Sequence, residues 1–363
     1  MTTRREFISS ASKGLLGLGV VPGGKRPATP TFVATPAATP EETPMAAETS
    51  TSTSTSTSTP QATGTGLIYD ARYLDHVLPL RRGEVHPERP LRLVRIMEVF
   101  AERGLDQELI PLSLLADPMT SIRAHHTREH VESVRRIDVT GPVAELAVAG
   151  ALGAVDAVAR GQVKNAFCAS RPPGHHANNT GQEEGFCFYS NAAIATRYAQ
   201  RVHGFERVLI IDWDYHHGNG TQNAFYDDAS VLFFSTHDWQ AYPGTGDPSL
   251  MGEGEGTGFN INAHLDCGSR DVDMLRHWDS KLLSVVSDFR PDFIIVSAGF
   301  DSRRDDLLGC FDLTDDVFKR MTRTAMDLAE EYTGGRLVSL LEGGYNVEGS
   351  ALAAAAHVET LLD

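Results

Sequence analysis

Asp212, Asp214 and His216 stand at alternate positions directly after an aliphatic run, in the stretch LIIDWDYHHGNGTQ. Alternate residues of an extended chain face one side. If the chain stays extended here, two carboxylates and an imidazole converge at one strand end. One carboxylate and the imidazole supply two ligands to a borderline cation such as zinc, and the other aspartate can orient a neighbouring histidine. A second aliphatic run, FIIVSAGFD, ends in Asp301, with a glycine that permits close approach. Two carboxylates and one histidine leave a tetrahedral cation one open position, the arrangement of a catalytic rather than a structural site. The pair His175 and His176, in RPPGHHA, offers proton transfer near neutral pH. Tyr345, after two glycines in LLEGGYN, offers a phenol to a developing oxyanion.

These residues share a setting. The runs NAFCAS, RVLIIDWD, VLFFST, FIIVSAG and RLVSLLEGG read as short buried strands, and segments such as ELAVAGALGAVDAVARG and SNAAIATRYAQRV read as helices between them. That alternation predicts an α/β fold, a doubly wound and mainly parallel sheet covered on both faces. Ligands of such sheets bind at the carboxyl ends of the strands, where each unusual cluster lies.

The chain has 363 residues and a formal net charge of −16. From Leu67 onward 27 basic residues face 44 acidic ones, which disfavours nucleic acid and anionic membrane surfaces as partners. Cys168, Cys187, Cys267 and Cys310 show no CxxC spacing and read as mostly buried thiols. No run approaches the roughly 18 to 20 consecutive apolar residues of a spanning helix, so no stable membrane insertion is expected. Residues 1–24 set Arg4 and Arg5 before a short, weakly apolar, glycine-rich run, the pattern of a twin-arginine export signal, with a cytoplasmic tail as the alternative. Residues 25–66 are rich in Pro, Thr, Ser and Ala and read as a disordered linker. A catalytic domain is expected over residues 67–363.

With these motifs assembled, the chain resembles the histone deacetylase superfamily, in the branch of class II-like bacterial deacetylases, acetylpolyamine amidohydrolases and acetoin-utilisation proteins. HPERPLR, RPPGHHA, GFCFYSNAAIA, DWDYHHGNGTQ, YPGTG, SAGFDSR and LEGGYN occur in family order from about Leu67 to the C-terminus. The resemblance implies an arginase-like three-layer α/β/α fold and zinc-dependent hydrolysis of an acetyl-amine by activated water, on a small-molecule or peptide substrate. It implies zinc on Asp214, His216 and Asp301, with Fe2+ or Co2+ able to substitute. His175 and His176 become the acid/base pair, with His176 the base, and Tyr345 polarises the acetyl carbonyl. Asp212, Ser235 and Thr236 fall at a structural potassium site, and Gly185, Phe186 and Tyr242 line the tunnel for an acyl-lysine stem.

Two departures from the family pattern stand out. Between His130 and Gly150 the chain is shorter than its relatives, in the region of the rim loop that carries an acidic substrate clamp. After Asp301 the usual Gly-Asp-Pro-Leu-Gly reads Asp305, Asp306, Leu307, Leu308, Gly309. Leu308 replaces the glutamate of polyamine-selective relatives, which disfavours polyamines. Two other readings compete: a catalytically idle, metal-containing binder of acetylated ligands, and an arginase-type metallohydrolase. The order Asp-x-Asp-x-His, rather than Asp-x-His-x-Asp, speaks against the second.

Overall fold

The computed structural model describes residues 63–78 and 85–363. The export signal and nearly all of the linker expected from the sequence lie outside the described residues. Eight strands form one sheet: β1 (Thr65–Ile68), β2 (Ile110–Pro111), β3 (Asn165–Cys168), β4 (Val208–Asp212), β5 (Val231–His237), β6 (Asn260–His264), β7 (Phe293–Ala298) and β8 (Leu337–Leu341). Their order is β2-β1-β3-β8-β7-β4-β5-β6, and every pairing is parallel. Five of these strands match runs legible in the sequence. The short β1 and β2 and the more polar β6 were not expected, and β1 starts two residues before Leu67.

The five longest helices are α1 (Leu91–Glu102), α2 (Thr140–Ala159), α3 (Asn191–His203), α4 (Asp315–Leu328) and α5 (Val347–Leu362). α1 and α4 pack on α5, and α2 packs on α3, so the sheet lies between two helical layers. This is why β3, β4, β5, β7 and β8 are buried at every position and read as unbroken apolar runs. α2 is long and apolar enough to cross a membrane by composition, although Glu145 and Asp156 interrupt its apolar run. It is 72% buried inside the protein and serves as a core helix.

The register aligns the carboxyl ends of the central strands. Cys168 pairs near Leu340, Ala298 with Leu341, and Asp212 with Ser297. The chain segments leaving β3, β8, β7 and β4 therefore emerge side by side, and these are the segments that carry RPPGHH, EGGY, AGFD and DWDYHH.

The cysteines depart from the reading as thiols. Cys168 and Cys187 are buried and free, but Cys267 and Cys310 form a disulfide, which joins the loop after β6 to the loop after β7. A separation of 43 residues with no motif hides this pairing from the sequence.

Candidate active site

Strand β4 stops at Asp212, so Asp214 and His216 do not converge through strand pleating as expected. Two successive side-chain turns do the work instead. Asp212 Oδ1 accepts from the amide of Asp214 at 3.1 Å, and Asp214 Oδ1 accepts from the amide of His216 at 2.9 Å. Aspartates that bond the backbone two residues on reverse the chain locally. The other oxygen of Asp212, Oδ2, meets the Nδ1 of His175 at 3.0 Å.

Asp214, His216 and Asp301 meet in a buried cluster whose ligand atoms lie within 4.8 Å of one another. His216 Nδ1 is 3.1 Å from Asp214 Oδ1 and 2.9 Å from Asp301 Oδ2. Backbone amides hold both carboxylates: Gly343 N donates to Asp214 Oδ2 and Tyr215 N to Asp301 Oδ1, each at 2.8 Å. The neighbouring strand ends make room only because they carry glycine. A Cβ on Gly299 would sit 2.1 Å from Asp214 Oδ2, and one on Gly343 would sit 2.3 Å from Asp301 Oδ2.

The electrostatics of this cluster call for a positive charge. Burial opposes a charged His216, but the carboxylates of Asp301 and Asp214 outweigh it and raise the imidazole to about 10. Burial and the charge on Asp214 together push Asp301 up to about 7. Two carboxylates at this depth are stable only with a cation or a proton between them. Two oxygen ligands and one nitrogen ligand suit a divalent metal of the zinc type with coordination positions left open.

The paired histidines stand beside this set with unequal partners. His175 faces Asp212, whereas His176 Nδ1 faces the neutral amide of Asn219, at 2.8 Å. Burial works against protonation of both rings. For His175 the carboxylates of Asp214 and Asp212 reverse that effect and hold it well above the ordinary histidine value. For His176 burial is reinforced by the charges of His175 and His216, and its pKa falls well below. Near neutral pH the pair therefore holds one imidazolium and one neutral ring.

Tyr345 is buried and is fixed through its backbone. Asp306 Oδ2 accepts from the amides of Tyr345 and Asn346 at 2.7 and 2.9 Å, and Asp306 Oδ1 accepts from Leu308 and Gly309. Burial first, and the Asp301 carboxylate second, keep its hydroxyl protonated far above the ordinary tyrosine value. Asp305 has a φ of 63°, the left-handed region, at the position where the family pattern has glycine. Leu308 is half-buried in the same loop.

Gly185 and Phe186, with φ of 53° and 69°, form the tip of a tight hairpin closed by reciprocal bonds between Glu184 and Cys187. Consecutive left-handed residues are the signature of a type I′ turn, which a non-glycine residue occupies at some cost. A Cβ at Gly185 would strike the His176 ring at 2.3 Å. Phe186 packs edge-on against Tyr345 and His86, and Tyr242 packs edge-on against His176 with ring centroids 5.0 Å apart. Tyr242 thus stands over His176 and Phe186 over Tyr345. Ser235 and Thr236 lie farther down: the Ser235 hydroxyl meets His237 Nδ1 at 2.8 Å, and Thr236 donates to the backbone oxygen of Asp212 at 3.4 Å.

Sequence reasoning missed the residues that brace this arrangement. Glu88 is wholly buried between Arg171, in two bonds of 2.6 Å, Arg92 at 3.1 Å and His76 at 3.2 Å. Arg92 also donates to the backbone oxygens of Glu342 and Gly344 and lies over the Tyr345 ring. Asn219 and Glu342 were likewise overlooked. Asn219 was findable, three residues after His216 within the same motif, and Arg92 stands four residues after Glu88; the link from Glu88 to Arg171 and those from Glu342 to Gly174 and His175 are too distant in sequence for any spacing rule.

Comparison with known proteins agrees with this geometry. The model of the histone deacetylase domain matches residues 138–361. A probable deacetylase of Archaeoglobus fulgidus is 38% identical over 302 residues, 79% of this chain and 82% of that protein. Histone deacetylase 15 of Arabidopsis thaliana is 36% identical over 83% of this chain and 57% of its own. The human polyamine deacetylase HDAC10 is 34% identical over 82% of this chain, which spans 48% of it. The crystal structure of the HDA15 HD domain superposes with a TM-score of 0.78 at 36% identity, covering 83% of this chain and 88% of that one.

Proposed function

The chain belongs to the histone deacetylase family, a family of metal-dependent deacetylases, and on that premise we propose that it is a zinc-dependent amidohydrolase removing acetyl or a related acyl group from an acetyl-lysine-like amine. The observation that carries the reading is the unequal histidine pair, His175 on Asp212 and His176 on Asn219, set beside the cluster of Asp214, His216 and Asp301.

In this reading the three clustered residues hold the metal. Bound there, it would polarise the amide carbonyl and lower the pKa of a water. His176, kept neutral by burial and by the charges of His175 and His216, takes the proton from that water as it attacks the carbonyl carbon. His175, kept cationic by Asp214 and Asp212 against burial, stabilises the negative charge that develops beside it. The Tyr345 hydroxyl donates to the carbonyl oxygen as that oxygen gains charge. The protonated His176 then gives its proton to the departing nitrogen, leaving acetate and a free amine.

Phe186 and Tyr242 would flank the alkyl stem of the substrate, with Gly185 allowing the close approach. An apolar Leu308, where polyamine-selective relatives carry glutamate, favours an acyl-lysine over a polycationic amine. Asp212, Ser235 and Thr236 would lie at a structural potassium site. Arg4 and Arg5 support export by the twin-arginine route.

The test is acetate release from an acetyl-lysine peptide, acetylputrescine and acetylated amino sugars by the metal-depleted protein and by the same protein reloaded with zinc, wild type beside Tyr345→Phe. Losing a donor to a developing oxyanion costs about 10²–10³ in kcat. Turnover that does not require metal, or that survives in Tyr345→Phe within a few-fold, refutes the reading.

A further inference from the structure

A second group of potential metal ligands lies next to the first. One ligand atom each from His175, Cys187 and Glu342 falls within 4.8 Å of the others, and all three residues are buried. Each still has an atom to offer. His175 spends Nδ1 on Asp212, which leaves Nε2, itself 3.8 Å from Asp214 Oδ2. Glu342 spends Oε2 on the amides of Gly174 and His175, at 2.7 and 3.2 Å. Its Oε1 is enclosed and has no hydrogen-bond partner, and the residue is 1% exposed. The Cys187 thiol makes a long contact, 3.5 Å, to the backbone oxygen of Gly185, and it also meets the backbone of His176. A buried carboxyl oxygen left unpaired is costly and marks a place where a donor or a cation belongs.

We propose that His175, Cys187 and Glu342 form a second cation site, selective for a borderline or soft divalent ion, and that filling it inhibits the enzyme. Thiol and imidazole together set the selectivity, since such ligands prefer zinc and softer metals to magnesium or calcium. Metal–ligand bonds of about 2.0–2.3 Å require the widest ligand pair to draw in by roughly 1 Å, within the reach of side-chain torsions. Binding displaces both the thiol proton of Cys187 and the Nε2 proton of His175. The site is separate from the set of Asp214, His216 and Asp301 and shares none of its residues. Only the inhibitory half rests on the role given above to His175, because an imidazole whose Nε2 holds a cation cannot also face the reacting group beside Asp214.

The experiment uses the full chain loaded with one equivalent of Zn2+ and titrated with Cd2+. It follows the ultraviolet thiolate-to-cadmium charge-transfer band, the metal retained after desalting, and deacetylation. The expected result is a second bound equivalent with a charge-transfer band, activity falling as the band saturates, no band in Cys187→Ser, and at least 10-fold weaker uptake in Glu342→Gln. Cadmium that merely replaces zinc at the first site gives no band, since no thiol is there. Absence of the band in the wild type, or a second equivalent bound equally well by both variants, overturns the site. A band that saturates without loss of activity overturns the inhibition and the assignment of His175 while leaving the cation site in place.

Discussion

Replacing Asn219 by aspartate tests the division of labour between the two histidines. The amide oxygen of Asn219 is 2.8 Å from His176 Nδ1, so a carboxylate there would reproduce for His176 the surroundings that Asp212 gives His175. Two unit charges about 4 Å apart interact by roughly 4 kcal/mol at an effective dielectric constant of 20. Part of that is offset by the cost of burying the new carboxylate, and opposite charges at this range raise a pKa by about 1–3 units in practice. At about 1.36 kcal/mol per unit, this is roughly 1.4–4 kcal/mol in favour of protonated His176. A protonated ring cannot accept the proton of the attacking water. The raised pKa therefore removes activity from the acid side, and the acid limb of the kcat/KM profile moves to higher pH by about 1–3 units. The assay is the pH–rate profile of Asn219→Asp against wild type on an acetyl-lysine peptide. An acid limb that stays in place or moves to lower pH would refute the reasoning, and a loss uniform across pH would show that Asn219 acts through structure alone.

Three further outcomes are expected. Asp301→Asn removes a charge from the cluster and should weaken retention of the metal by at least about 10–100-fold, measured by competition with a chelator, because even outer-shell partners have effects of that size. Glu88→Gln leaves Arg171 and Arg92 facing a neutral group and should cost about 3–5 kcal/mol in urea denaturation. Burial opposes a charged Glu88, but Arg171, with His76 and Arg92, holds its pKa well below the ordinary value; its contribution is thus present above about pH 4.3, is lost as pH falls through the lower folded value, and the two proteins should converge in strong acid. Changing both Arg4 and Arg5 to lysine should retain the protein in the cytoplasm, read by cell fractionation; unchanged export would refute the twin-arginine reading.

The clusters at the strand ends were legible because buried parallel strands leave long apolar runs, and polar residues grouped at the ends of such runs have few structural reasons to be there. β1, β2 and β6 escaped notice for the opposite reason: two are four residues or fewer, and β6 mixes asparagine and histidine with its apolar positions. The bend after Asp212 was missed because strand pleating and paired aspartate turns both set residues at alternate positions to work together. Only the bend explains why Asp212 meets His175 while Asp214 and His216 meet Asp301. The bracing by Glu88, Arg171 and Arg92 joins segments about 80 to 250 positions apart, and the chemistry of each residue alone is that of an ordinary surface charge.

The strand order also governs when during synthesis the site can exist. β3 hydrogen-bonds to β8, with Asn165 beside Leu337, and α1 packs against α5 at the end of the chain. A ribosome that has released the first two-thirds of the protein has therefore produced β3 and β4 with a gap between them, to be filled by β7 and β8. Until those strands arrive, the edges of β3 and β4 expose unpaired backbone, and the contacts that close the sheet are non-local ones that form slowly. Asp214 and His216 must wait for Asp301, and Arg92 for the turn after β8. The nascent chain is thus most open to mispairing and to chaperone capture over this interval, and truncations that remove β8 should yield aggregation rather than a smaller folded unit.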